Sequence, residues 1–427
     1  MKRYFKLIFS LTLIAFISSC ISMMDNAQDV PEVSKIEVSY KIAATTAFQE
    51  KNGEVIPDPN FSVEGLKVEF LELQTNAITV GTTDANGLVT VNIIPGDYSI
   101  KVSGSVEFEG FTYMMNGTIP QTSLVKTVPV EEAMSRRDLL IVIRPSKLAP
   151  LIISEIYYCG ASNYYFRDQT YHITNNGNKT EYLDGVCFAQ LHPATISGSS
   201  TLPIWPDEIG VDNYVFGHVV WQFPGNGKDY PLEPGESVVV VQEARDHREN
   251  NPDSFDNSMA NWECWSGNQG RNNPDVANMP AIFTRNLNKM QWLTSVFGSA
   301  FCLYKPDDGT VVDAAYYEKD ENLQTEVNKT TRYAKIPASW VYDGVELLAD
   351  MSLMSKKRIP GFVDAGGTSV EQTYCQKVVS RKVVGKRADG TPIFADTNNS
   401  TEDFEVILYP QIRRHGTKAP AWDGTNK

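Results

Sequence analysis

Ile36-Glu37-Val38-Ser39-Tyr40-Lys41-Ile42 alternates apolar and polar side chains, and Leu66-Lys67-Val68-Glu69-Phe70 does the same. A period of two puts every apolar residue on one face of an extended chain, so each stretch predicts a half-buried strand. The same reading predicts strands over 88–94, 97–102, 105–113, 123–130 and 138–144. Asp84-Ala85-Asn86-Gly87 and Pro95-Gly96-Asp97 supply turn chemistry between them. About seven short strands with no convincing helix predict an antiparallel sandwich. The fold class expected for the whole chain is all-β.

The turns carry a more specific pattern. Gly81-Thr82-Thr83-Asp84-Ala85-Asn86-Gly87-Leu88-Val89 is followed by Ile94-Pro95-Gly96-Asp97-Tyr98-Ser99-Ile100. Asn-Gly makes a tight hairpin, and Pro-Gly turns the chain so that Tyr98 points back into the sandwich. Over residues 35–145 this resembles transthyretin-like or carboxypeptidase-regulatory-like domains. The resemblance implies a structural or adhesive module with no catalytic residues.

Beyond the linker at 145–150 come Leu151-Ile152-Ile153-Ser154-Glu155-Ile156-Tyr157-Tyr158, Gln169-Thr170-Tyr171-His172-Ile173-Thr174-Asn175-Asn176-Gly177 and Tyr182-Leu183-Asp184-Gly185-Val186-Cys187. Leu232-Glu233-Pro234-Gly235-Glu236-Ser237 runs into a Val-rich strand at 238–241. Phe301-Cys302-Leu303-Tyr304 with Asp307-Asp308-Gly309-Thr310-Val311-Val312-Asp313 predicts a hairpin. In this order the pieces resemble a lamin-tail domain spanning 150–427. The segment at about 250–292 is an insertion that ordinary lamin-tail sandwiches lack. Last strands are expected within 377–384 and 393–408, turning at Arg387-Ala388-Asp389-Gly390-Thr391.

The first residues read as an export signal. Lys2, Arg3 and Lys6 precede an apolar run over 7–17, broken only by Ser10 and Thr12. That run is too short for a hydrocarbon core needing roughly twenty residues. Ile17-Ser18-Ser19-Cys20 closes it and resembles the bacterial lipobox, which implies a signal over 1–19 and lipid on Cys20, the membrane attachment. Two or more acyl chains there would anchor stably. Residues 20–34 form a polar tether. Ile21, where Asp would retain the protein in the inner membrane, favours the outer membrane. The whole layout resembles a family of uncharacterised bacterial surface lipoproteins carried as a domain of unknown function.

Of 38 basic residues, Lys2, Arg3 and Lys6 leave with the signal; the remaining 35 face 52 acidic residues, a net of −17. An acidic body repels nucleic acid. At 42% hydrophobic and 11% aromatic, the chain has material for more than one core, and about 400 mature residues predict two or three domains. Besides Cys20 there are Cys159, Cys187, Cys264, Cys302 and Cys375. Export permits disulfides, but five is odd and no C-x-x-C occurs, which argues against a zinc knuckle.

Chemistry is sparse. His172, His192, His218, His247 and His415 form no H-E-x-x-H, and neither Gly198-Ser199-Ser200 nor Gly298-Ser299-Ala300 has the flanks of a nucleophile elbow. Asp396, Asn398 and Ser400 have D-x-N-x-S spacing. Thr401 stands where a calcium loop needs glycine, and Ile407 where it needs glutamate. No metal or cofactor is expected, and an enzyme is not.

Trp262, Trp265 and Trp292 lie among amides including Asn251, Asn257, Asn261 and Asn273. Aromatic faces beside amides suit a protein interface or a sugar. Equally, the rings anchor the segment by burying themselves. The reading is a membrane-anchored, non-enzymatic binding module, plausibly beside an outer-membrane transporter. A glycan-binding accessory lipoprotein is the alternative, and a hydrolase of unfamiliar design is a third.

Overall fold

The computed structural model describes residues 34–46, 55–206, 213–267, 271–284, 291–307 and 309–410. The signal, Cys20 and nearly all of the tether fall outside them, as does His415. The described chain is nearly all β, arranged as two sandwiches in tandem. Among the described residues no helix is long and apolar enough to cross a membrane.

The first sandwich comprises β1 (Ile36–Ala44), β2 (Lys67–Glu72), β3 (Ile78–Thr82), β4 (Leu88–Ile93), β5 (Gly96–Ser103), β6 (Ser105–Phe108), β7 (Phe111–Met114), β8 (Gly117–Leu124), β9 (Leu140–Ile143) and β10 (Ser146–Lys147). One sheet runs β4-β1-β9 and the facing sheet β3-β2-β5-β8. The β1–β9 pairing is parallel, so the sandwich is not wholly antiparallel. Alternation does what it predicts: Val68 and Phe70, Val89 and Val91, and Tyr98, Ile100 and Val102 all point into one core with Val38, Tyr40 and Ile42. Asp84 accepts from the amides of Asn86 and Leu88 at 2.8 and 2.9 Å. Gly87 (φ +74°) lies where a Cβ would meet the Ile42 carbonyl at 2.3 Å, so the turn requires glycine. Tyr98 is buried and donates its hydroxyl to the Ile94 carbonyl at 2.6 Å.

Local sequence misleads at two points here. Residues 105–113 form a hairpin, because Glu109 (φ 51°) and Gly110 (φ 79°) both turn left-handed. The strand expected over 123–130 lies earlier, at β8, and the chain then enters a short helix, α1 (Val130–Ser135), behind Pro129. Glu131 and Glu132 suit that helix's first turn.

The second sandwich comprises β11 (Leu151–Tyr157), β12 (Thr170–Asn175), β13 (Glu181–Tyr182), β14 (Cys187–Leu191), β15 (Tyr214–Gln222), β16 (Pro231–Leu232), β17 (Ser237–Val241), β18 (Trp262–Cys264), β19 (Ala277–Met279), β20 (Ala281–Thr284), β21 (Ala300–Tyr304), β22 (Leu323–Thr325), β23 (Arg332–Pro337), β24 (Val341–Glu346), β25 (Val378–Arg381), β26 (Val383–Lys386), β27 (Pro392–Phe394) and β28 (Phe404–Ile407). Its sheets run β19-β18-β17-β12-β11-β25-β28 and β22-β23-β15-β14-β21-β24, with β20 also on β15. Every residue of β11, β14, β17 and β21 is buried, which explains their continuous rather than alternating apolar runs.

One expectation needs correction. Phe301–Tyr304 does not form a hairpin with the segment after it. β21 pairs β14 and β24 instead, and Val311 stays 76% exposed in a loop. The segment at 250–292 adds strands to both sheets: β18 and β19 continue the first in parallel from β17, while β20 joins the second. The expected turn at Arg387–Thr391 does join a hairpin, β26–β27.

Side chains also join the two sandwiches. Lys101 pairs with Glu402 at 2.8 Å, Asn116 donates to the Thr397 carbonyl at 2.9 Å, and Asn398 donates to Ser146 Oγ at 2.9 Å.

Candidate functional site

The three sequence-nominated tryptophans do not come together as a site. Trp262 is buried in β18, with Phe223 and Tyr230 set edge-on at 5.2 and 4.8 Å. Trp292 is buried against Tyr171, Phe188 and Trp221, and donates its indole N–H to Gln190 Oε1 at 2.9 Å. Neither offers a face to a ligand, so both are corrected from contact candidates to core. Trp265 is half-buried. The neighbouring amides tie backbone: Asn251 donates to Ser162 O, Asn257 to Asp168 O and Asn273 to Ala244 O, while Asn261 accepts from Val239 N–H. These four hold the segment to the sandwich rather than lining a groove.

The D-x-N-x-S stretch is a structural knot. Arg381, buried on β25, reaches Asp343 at 2.7 Å, Asp403 at 3.2 Å and Asp396 at 3.3 Å. Ser400 donates to Asp364. Burial pushes the carboxyls of Asp343 and Asp396 above the usual range, against the pull of Arg381. Among the described residues no group of three or more His, Cys, Asp or Glu is placed to hold a metal.

His247 is likewise structural. It accepts from or donates to the Tyr165 hydroxyl at Nδ1 (2.7 Å) and meets the Glu243 carbonyl at Nε2 (3.0 Å). Since a carbonyl only accepts, Nε2 carries the proton and Nδ1 accepts from Tyr165 in the neutral ring. Burial lowers its pKa to about 3. His172 is buried 3.5 Å from Glu155.

A hollow of about 250 Å³ opens elsewhere, where β14 runs out and β15 begins. Leu191, His192, Pro193, Trp205, Tyr214 and Phe216 form one side, and residues 357–360 the other. Trp205 is half-buried and stacks on Phe216 with centroids 3.8 Å apart and planes at 21°. His192 stacks on Tyr333 at 3.8 Å, and its Nε2 lies 3.1 Å from Glu326. Leu202 (39% exposed) lines the hollow, and Ile204 (70% exposed) is its chain neighbour between Pro203 and Trp205.

The cations at this wall are already engaged. Arg358 donates to Glu346 at 2.7 Å, to Pro193 O at 2.8 Å and to Leu347 O at 2.6 Å. Lys357 donates to the carbonyls of Ile359 and Asp364, and burial lowers its pKa. A neighbouring lysine, Lys356, holds the carbonyls of Ser197, Gly198 and Ser200, fixing the loop that leads to the rim. Among the described residues, the lining holds no carboxylate, serine, threonine or cysteine. What it presents is ring and aliphatic surface beside a comparable share of polar surface from His192, Tyr214, Lys357 and Arg358, suited to a partner with an apolar face and a few polar groups. Sequence reading missed it because its halves lie more than a hundred residues apart. Only the Pro-rich, aromatic run Leu202-Pro203-Ile204-Trp205-Pro206 was there to flag.

The sequence profile of the DUF4876 family, described as a protein of unknown function, matches residues 233–411. No curated protein matches the chain. Among solved structures, a DUF4876 family protein from Bacteroides thetaiotaomicron VPI-5482 is 35% identical, over 91% of this chain and 100% of that one, with a TM-score of 0.60. A proposed adhesin from Bacteroides ovatus ATCC 8483 is 11% identical over 73% of this chain and 86% of its own, with a TM-score of 0.17. A DUF3823 family protein from Parabacteroides merdae ATCC 43184 is 9% identical over 47% and 96%, with a TM-score of 0.16. The last two scores carry no argument. Identity and coverage against the Bacteroides thetaiotaomicron protein place this chain in the DUF4876 family, whose function is unknown.

Proposed function

We propose that this protein is a non-enzymatic binding module of the cell envelope, acylated on Cys20 and held at the outer membrane, which receives its partner at the Trp205–Phe216 hollow. The transthyretin-like reading of 35–145 and the lamin-tail-like reading of 150–427 belong to the same proposal, as scaffolds without catalytic residues. The observation that carries it is the hollow's chemistry: an aromatic wall and exposed aliphatic rim beside cations already bonded to carbonyls and a carboxylate of the protein. An apolar side chain presented by another envelope protein, such as an outer-membrane transporter, meets those demands.

A second reading, glycan binding, is favoured by the half-buried Trp205 ring, since pyranose faces rich in C–H stack on indole. Cross-linking in intact cells and a polysaccharide panel, each run with wild type and Trp205→Ala, separate the two. A cross-linked envelope protein lost in the variant supports the first, and a polysaccharide signal lost in the variant supports the second. Partner or glycan capture that Trp205→Ala leaves unchanged would rule out the hollow. The anchor is tested by Cys20→Ala, which should move the protein from the membrane fraction to the soluble one.

A further inference from the structure

Cys159, fully buried just past β11, and Cys375, partly exposed in the loop before β25, lie with sulfurs 3.4 Å apart across 216 residues of chain. Backbone bonds hold their segments side by side: Tyr374 N–H donates to the Cys159 carbonyl at 2.6 Å and Gln376 N–H to the Gly160 carbonyl at 3.2 Å. The two donors bracket Cys375, so its side chain has little room to wander from Cys159. Glu371, Tyr374 and Gln376 all take left-handed backbone (φ 55°, 54° and 61°), a conformation non-glycine residues adopt at a cost. A loop bent this way needs something to hold it.

We propose that Cys159 and Cys375 are a disulfide-forming pair that fastens this loop to the end of β11. Among the described residues the other thiols have no such partner. Cys187 sits opposite Tyr304 and Cys302 opposite Ala189, so that pair is diagonal rather than opposed, and Cys264 lies on β18. Pairing these two of the five leaves three buried thiols, Cys187, Cys264 and Cys302.

The chemistry is exchange with a disulfide donor. Cys375, the more accessible thiol, loses its proton and attacks one donor sulfur, breaking the donor's S–S bond and releasing half of it as a thiol. The Cys159 thiolate then attacks Cys375 Sγ in the mixed disulfide and expels the second half. Two protein thiols are oxidised, and one donor disulfide is reduced to two thiols. Bond formation in the cell rests on the export proposed above, whereas the pairing itself does not.

The full chain, purified under reduction, is incubated with oxidised glutathione, blocked with alkylating agent in denaturant and mapped by mass spectrometry. The expected product is one peptide pair joined through Cys159 and Cys375, lighter by two hydrogens, with Cys187, Cys264 and Cys302 alkylated. Cys375→Ser should leave Cys159 as an alkylated thiol in a protein that still melts cooperatively. Glutathione adducts without the cross-link, or a different pairing, would overturn the proposal. The same map of protein taken straight from cells tests export: a bond made by glutathione but absent in cells counts against export and for the pair.

Discussion

Replacing Trp292 with alanine separates an anchoring ring from a ligand-binding one. The side chain is 3% exposed and packs on Tyr171, Phe188 and Trp221. Burying roughly 150–250 Å² at about 25 cal/mol per Å² gives an upper bound of ~4–6 kcal/mol. Large aromatic truncations cost ~3–5 kcal/mol. The bond to Gln190, itself 2% exposed, is lost as well, so ~4 kcal/mol is the expected effect. For a unit the size of the second sandwich that is a melting-point drop of roughly 8–16 °C. Six of the seven tryptophans, Trp205 to Trp340, lie in the second sandwich and the first holds none, so indole fluorescence follows unfolding of the second. Urea titrations and thermal melts of the full chain by fluorescence give the number directly. Trp265→Ala, at a half-buried position, should cost less than about 1.5 kcal/mol. A Trp292→Ala protein within about 1 kcal/mol of wild type would refute the core assignment.

Burial sets up two opposed pH limbs. Asp168, with its pKa raised to about 6, holds a proton in the fold that the unfolded chain has released, so stability falls by ~3 kcal/mol as pH rises from about 4 to 6. His247, lowered to about 3, stays neutral in the fold while the unfolded ring takes a proton, so stability falls by ~5 kcal/mol as pH drops from about 6.5 to 3. Relative to wild type, Asp168→Asn should steepen acid destabilisation and His247→Gln should flatten it. Urea midpoints from pH 4 to 8 check both, and unchanged slopes would refute the assignment. Arg381→Met strands three buried carboxylates and should cost ~3–5 kcal/mol at pH 7. Burial raises the pKa of Asp343 and Asp396, so protonation of these two should shrink the deficit as pH falls; a deficit independent of pH would count against the knot.

The first sandwich was nearly legible in sequence because its signals are local. Alternation at Ile36–Ile42 and turn residues at Asp84–Gly87 each act within a few positions, and both appear where they were read. Where two residues could bend the chain, as at Glu109-Gly110, alternation ran on and hid the hairpin. In the second sandwich fully buried strands lose alternation, so period no longer tells which strand pairs with which. Phe301–Tyr304 then took β24 as its partner instead of its sequence neighbours. The composition of 250–292 announced aromatic rings and amides. Whether a ring faces solvent or core depends on the sheet it joins, and only the parallel addition of β18 to β17 decided that Trp262 turns inward. The same reason hid the hollow and the cysteine pair. Local pattern sets the conformation of each segment, whereas contacts between residues 191–216 and 357–360, or between Cys159 and Cys375, exist only once burial of distant strands has brought those segments together.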